Sequence, residues 1–177
     1  MHMPPPWSIK LLERLEEHQI RQLSDVLVDC VCNGASVGFM PPFDLAAAER
    51  FWRGIAEGLA QGRRAILVAE DGNGICGTVQ LVLDLPPNQP HRADLVKLLV
   101  HSRVRRQGVG ESLMREIEAV ALQRGRSLLV LDAVTDGPAA RLYQRLGWIR
   151  VGDIPRFALY PDGRPCSTTY FYRDLSL

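Results

Sequence analysis

The segment that most constrains the fold is Arg105-Arg106-Gln107-Gly108-Val109-Gly110. It follows an apolar run, Leu95 to Val100, and leads into Val109, Leu113, Ile117, Val120 and Ala121, which recur at helical spacing. A buried strand, a tight turn and an amphipathic helix are expected in that order. A helix N-terminus has unsatisfied N–H groups and a partial positive charge. Glycines at 108 and 110 let the backbone approach a ligand with no Cβ in the way. Arg103, Arg105 and Arg106 add formal charge where basic side chains oppose the helix dipole. Together these features describe an anion site suited to phosphate.

The remaining patterns build one domain around this turn. Ile9 to Leu12 reads as a first strand. Ile20, Leu23, Leu27, Cys30 and Val31 follow helical spacing up to Asn33-Gly34, and Asp44 can cap a second helix carrying Phe51, Ile55 and Leu59. Ala65–Glu70 and Ile75–Leu85 form a hairpin through Asp71-Gly72-Asn73-Gly74. Leu95 to Val100 is expected to be a strand buried on both faces. Leu128 to Leu131 is another buried strand, Pro138 opens a helix that Gly147 stops, and Trp148–Ile154 and Thr168–Leu175 close the chain as strands. The fold class is α/β, with a mixed, mostly antiparallel sheet of six to seven strands and four helices. Residues 1–6, with three consecutive prolines, are expected to be a disordered lead to a domain spanning 7–177.

Composition narrows the function. With 21 basic and 20 acidic side chains the formal charge is only +1, which argues against nucleic-acid backbone binding. No apolar run approaches the roughly 20 residues of a membrane span, and the N-terminus lacks a secretory apolar core, so a cytoplasmic location is expected. Cys30, Cys32, Cys76 and Cys166 have neither metal-ligand nor disulfide-framework spacing, so no metal is expected.

Phosphate-binding folds differ in the residues next to the glycines. A P-loop needs Gly-Lys-Ser/Thr, and Gly110 is followed by Glu111-Ser112. A dinucleotide site needs a small residue where Leu113 stands, although Asp132 lies where a ribose-binding acid would; a nucleotide-dependent oxidoreductase is weakened rather than removed. Further along, Asp136-Gly137-Pro138-Ala139-Ala140-Arg141-Leu142-Tyr143-Gln144-Arg145-Leu146-Gly147-Trp148 reads as helix, glycine, then an aromatic opening a strand. With Arg105-x-x-Gly108-x-Gly110, this resembles the GNAT superfamily of N-acetyltransferases, over nearly the whole chain. Asp136 stands where many members carry Asn. A narrower resemblance, to tabtoxin-resistance acetyltransferases, is carried by Gly34-Ala35-Ser36-Val37-Gly38-Phe39-Met40, Arg92-Ala93-Asp94-Leu95-Val96-Lys97-Leu98, Arg150-Val151-Gly152-Asp153-Ile154-Pro155 and Pro161-Asp162-Gly163-Arg164.

The resemblance implies acetyl-CoA as cosubstrate and direct transfer of its acetyl group to the amine of a small molecule, a toxin or antibiotic-like amino-acid analogue being the narrower expectation. The backbone of Leu98, Leu99 and Val100 would pair with the pantetheine arm. The amides from Arg106 through Gln107, Gly108, Val109 and Gly110 to Glu111 would hold the pyrophosphate, with Arg105 and Ala139 beside it. Tyr143 matches the family tyrosine that gives a proton to the departing sulfur. Asp94 and Asp132, at strand ends, match acceptor-side carboxylates that attract an ammonium group and deprotonate it. Phe39 and Met40 lie in the loop that walls the acceptor pocket. Glu70 and Glu111 are weaker candidates for the base, Asp71 belongs to its turn, and Glu118 to a solvated helix face. A non-catalytic acyl-CoA-binding module of the same fold is the alternative, and a homodimer is left open.

Overall fold

The computed structural model describes residues 6–176; the N-terminal lead, apart from Pro6, and Leu177 lie outside the described residues. The elements are β1 (Ser8–Leu12), α1 (Glu17–Cys32), α2 (Leu45–Ala60), β2 (Arg64–Asp71), β3 (Gly74–Val82), β4 (Arg92–Val100), a 3-10 turn (Ser102–Val104), α3 (Val109–Gln123), β5 (Leu128–Val134), α4 (Pro138–Arg145), β6 (Ile149–Leu159) and β7 (Pro165–Asp174). This is the expected order, with seven strands and four α-helices.

Local chemistry accounts for most boundaries. Glu16 and Gln19 form a reciprocal capping box at the start of α1, with the Glu16 amide 3.0 Å from Gln19 Oε1. Asp44 caps α2 by accepting from the Ala47 amide at 2.8 Å. Pro138 occupies the first turn of α4, where its missing N–H costs nothing. Asp71 accepts from the Asn73 amide at 2.8 Å in the β2–β3 turn, as expected of a turn aspartate.

The strands form one sheet in the order β1-β2-β3-β4-β5-β7-β6. All neighbours are antiparallel except β4 and β5, which run parallel from Arg92↔Leu128 to Asp94↔Val130 and pair no further. One apolar layer joins β2, β3, β4, β5 and β7 to α3 and α4 through Leu113, Ile117, Leu129 and Phe171. The other joins α1 and α2 to β2 and β3 through Leu23, Leu27, Trp52 and Ile66. Trp52 and Phe171 are fully buried, each burial contributing on the order of 1.5–3 kcal/mol.

Several strands depart from their sequence pattern, β3 among them, which ends at Val82 rather than Leu85. Leu95–Val100 is not buried on both faces: Leu95 and Leu99 are, whereas Val96, Lys97, Leu98 and Val100 are half-buried. The cause is a bulge opposite Val79, with Lys97 at φ 55°, together with the loss of β5 as a neighbour after Asp94. The closing hairpin is longer than its pattern, β6 running through Pro155 to Leu159. Because β6 is the sheet edge and its register shifts between Ile154 and Ala158, the missing proline N–H breaks no ladder.

Candidate active site

The turn between β4 and α3 is built as an open row of donors. None of the six amides from Arg106 to Glu111 donates to an acceptor among the described residues, and α3 has no side-chain cap. The first intrahelical bond comes from Ser112 to the Gly108 carbonyl, at 3.0 Å. Gly108 makes this possible at φ 94°, a left-handed conformation that a Cβ opposes. Arg106, at φ 62°, bends the chain ahead of it and leaves its side chain exposed. Open N–H groups at a helix N-terminus, where the dipole is positive, favour an anion such as a phosphate.

Gly108 and Gly110 differ in role. A Cβ on Gly108 would meet only Trp7, at 3.8 Å, so backbone conformation is its constraint. A Cβ on Gly110 would stand 3.3 Å from Leu142 Cδ2 and 3.7 Å from Val100 Cγ2. Gly110 thus seats α3 against α4 and β4, besides leaving its amide open. Gly108→Ala is expected to cost about 1–2 kcal/mol of stability through strain and to displace the amide row; thermal melting and amide hydrogen exchange measure the two effects separately.

The arginines divide as the sequence could not reveal. Arg103 turns back to an ion pair with Asp71 and lies 3.3 Å from the Ile75 carbonyl. Arg105 donates from Nε to the Val100 carbonyl at 3.1 Å and approaches Asp29 at 3.7 Å and Cys30 Sγ at 3.8 Å. Burial works to raise the Asp29 carboxyl, but hydrogen bonds from the Ser102 hydroxyl and amide, with the charges of His101 and Arg105, hold it below the usual range. These two guanidiniums brace the turn against α1 and β3. Of the expected backbone partners for a pantetheine arm, Val100 already has its carbonyl occupied. The β5-facing edge of β4 beyond Asp94, with Leu98 and Leu99, has no strand partner.

Ala139 sits in the first turn of α4, half-buried. Asp136 has φ 57°, a conformation that Asp and Asn tolerate best, which gives residue 136 a backbone role independent of any ligand. Tyr143, on α4, is buried with its ring 5.9 Å from both Trp148 and Phe171. Burial, and then the Asp132 carboxylate, push its phenol well above the usual range, so it stays protonated at neutral pH.

The carboxylates separate in character. Asp94 is ion-paired with Arg92, whose Nε donates to Gln89 at 2.8 Å. Asp132 is exposed and accepts from the Thr168 hydroxyl at 2.6 Å. Both raise the phenol of Tyr170, after burial, so the two carboxylates act on common ground. Glu70 pairs with Lys10, and Glu111 with Arg115 at 2.8 Å on the exposed side of α3. Glu118 is not a solvated residue: it accepts from Trp148 Nε1 at 3.0 Å and lies 3.8 Å from Arg173 Nε, because β7 packs behind α3.

In the α1–α2 loop, Phe39 stacks on Phe43 at 4.6 Å and on Phe51 at 5.1 Å, while Met40 stays exposed. Ser36 donates to the Leu159 carbonyl at 2.7 Å and so ties this loop to β6. A cavity of about 650 Å³ lies between the loop and the β6–β7 turn, lined by Val31, Asn33, Pro41, Phe43, Tyr160 and Arg164 among others. None of the residues of the amide row lines it.

Sequence reasoning passed over Lys97, Arg64 and Gln80. Lys97 left a signal, a single charge inside the apolar run Leu95 to Val100. Arg64 and Gln80 left none, because only strand pairing brings them to the same face.

Comparison with known proteins identifies the fold and the family. An N-acetyltransferase of otherwise uncharacterized role from Azospirillum brasilense, in the hisH-hisA intergenic region, is 28% identical over 127 residues, covering 71% of this chain and 74% of that protein. A Salmonella typhimurium protein provisionally named an acetyltransferase, solved with acetyl-CoA, superposes with a TM-score of 0.76 at 16% identity, over 96% of this chain and 94% of that one. A protein provisionally named a phosphinothricin N-acetyltransferase gives 0.78 at 20% identity, over 96% of this chain and all of that one (100%). At such identities the structures establish the fold. The family model for the acetyltransferase (GNAT) domain matches residues 62–150, half of the chain, and spans the amide row, the splayed strands and Tyr143. The chain belongs to the GNAT acetyltransferase family.

Proposed function

We propose that this protein is an acetyl-CoA-dependent N-acetyltransferase that acts directly on the amine of a small molecule. The observation that carries the reading is the row of six open amides ending beside a strand edge without a partner. The row suits a pyrophosphate, and the unpaired stretch of β4 suits an amide-containing arm that adds to it like a strand. When bound, acetyl-CoA supplies an activated acetyl thioester.

The chain's own groups serve the two protons that must move. An amine arrives largely as ammonium, since an α-amine has a pKa of about 8 and a lysine-like amine about 10. Asp132, exposed and without an ion pair among the described residues, is the better placed to take a proton from nitrogen; Asp94, held by Arg92, serves to attract the cation. As the new C–N bond forms and the C–S bond breaks, negative charge grows on sulfur, and the Tyr143 hydroxyl is the donor to it. An ordinary thiol, at about 8.5, is more acidic than a phenol. Burial keeps the Tyr143 phenol protonated, so its hydroxyl is available to the departing sulfur. No charged side chain at the turn is needed for the transfer itself.

The acceptor class we propose is an amino-acid-like compound, including toxins of that kind. The motif resemblance around Phe39, Asp94 and Asp153 supports this, as does the fold neighbour provisionally named for phosphinothricin.

The test is thermal. At a hundredfold excess over Kd, acetyl-CoA should contribute about 2.7 kcal/mol, raising Tm by roughly 5–10 °C for a domain of this size, whereas NAD should not. Thiol release with a panel of amines then separates an enzyme from a non-catalytic acyl-CoA-binding module. A shift with NAD alone would return the chain to the oxidoreductase reading.

A further inference from the structure

Three polar groups on the α1/α2 face of the sheet have no part in the chemistry above. Lys97, at the β4 bulge, holds its Nζ 5.6 Å from the centroid of Phe39 and 5.8 Å from that of Phe51. A Cβ on Gly38 would come within 3.7 Å of the same nitrogen, so the α1–α2 loop lies directly over it. Arg64, half-buried at the start of β2, donates to Gln80 Oε1 at 3.3 Å. Gln80 is fully buried, and its Nε2 has no hydrogen-bond partner. Neither Arg64 nor Lys97 forms an ion pair among the described residues.

These groups share a face with the carboxylates. Residues paired across adjacent strands point the same way, and alternate residues along a strand do too. Arg64↔Val82↔Asp94↔Val130 is one row and Ile66↔Gln80↔Val96 the next, so Arg64, Gln80 and Asp94 lie on one face, with Asp132 two residues beyond Val130. Lys97 joins them through its aromatic neighbours from the loop and α2. Two cations without an ion pair among the described residues and a free amide donor thus stand toward β2 and β3; toward β5 stand Asp132 and Asp94, the latter already paired with Arg92.

A half-buried ammonium without a counterion is expensive. Aromatic faces offset only part of this, about 0.5–2 kcal/mol, and they accept none of its three N–H donors as a carboxylate would. Burial, then the charge of Arg64, draw the Lys97 pKa down, while Asp132 lifts it. We infer that this face binds the acceptor as a zwitterion: Lys97, backed by Arg64 and Gln80, takes a carboxylate of the acceptor, and Asp132 and Asp94 take its ammonium. The assignment rests on the acetyltransferase reading and specifies the class of acceptor within it. It makes Lys97 a residue that selects substrate, distinct from the groups that move protons.

The experiment compares free L-amino acids with their methyl esters and decarboxylated amines, with acetyl-CoA saturating. The acid should exceed its ester in kcat/KM by roughly 10–100-fold, the scale of a hydrogen bond to a charged group. K97M keeps an apolar stem beneath the rings and should collapse that ratio toward one, chiefly through the KM of the acid. On the wild-type protein alone, a des-amino carboxylate of the preferred skeleton should compete with the amine, and its uncharged amide should not. An ester turned over as well as its acid, a ratio unchanged in K97M, or a carboxylate no better than its amide would each overturn the inference. If plain amines are acetylated but carboxylates bring no advantage, the zwitterion site falls and the acetyltransferase reading stands. If acetyl-CoA neither binds nor is consumed with any amine, both fall.

Discussion

Tyr143→Phe should lower kcat by roughly 10²–10⁴, the usual scale for a general acid–base group, and leave acetyl-CoA affinity within a few-fold. The phenyl ring keeps its place between Trp148 and Phe171, 5.9 Å from each, so neither α4 nor the closing strands lose their packing. Only the hydroxyl is removed. The sign of the pKa shift adds a second expectation. Burial and Asp132 raise the phenol, so its protonated, active form persists to higher pH than in an ordinary tyrosine, for which the midpoint is about 10. The wild-type rate should therefore not decline on account of Tyr143 anywhere between pH 7 and about 10. Steady-state kinetics over that range, with calorimetric titration of acetyl-CoA, measure both effects. Full activity in the variant would make Tyr143 a packing residue of the core.

Asp132→Asn should cost kcat roughly 10²–10⁴ and flatten the limb on which the rate rises with pH, because an amide cannot accept the proton. Asp94→Asn should act mainly on the KM of the amine. The difference lies in their surroundings: Asp94 already has the Arg92 guanidinium as a partner, whereas among the described residues Asp132 has only the Thr168 hydroxyl, at 2.6 Å. The side-chain amide that replaces Asp132 can keep that hydrogen bond through its oxygen, so the variant should fold. pH–rate profiles of both variants decide the assignment. If both keep the wild-type profile, water acting on the neutral fraction of the amine is the base.

The sequence carried the fold far. Helix periodicity, the Asp44 cap, Pro138 and the β2–β3 turn each specify structure within a few residues of themselves, and all four are present in the fold. The Gly108 turn is likewise local, since a left-handed φ and a helix N-terminus are properties of adjacent residues. Order along the chain was therefore sufficient to locate the open amides and the tyrosine helix.

What a charged side chain does depends on distant residues. Arg103 and Arg105 are equivalent to Arg106 by sequence, yet Asp71 and Asp29, from β2 and α1, turn the first two inward. Glu118 has the pattern of a solvated residue until Trp148 and Arg173 arrive from beyond β5. The splay of β4 from β5 after Asp94 and the bulge at Lys97 exist only once three strands are assembled. The sequence by itself determined the elements, their order and the Gly108 turn that opens α3, because hydrophobic periodicity and backbone preference act over a few residues. Tertiary structure decided which charges are paired, which stay free and which share a face, because strand register joins residues dozens of positions apart and burial sets the strength of their interaction.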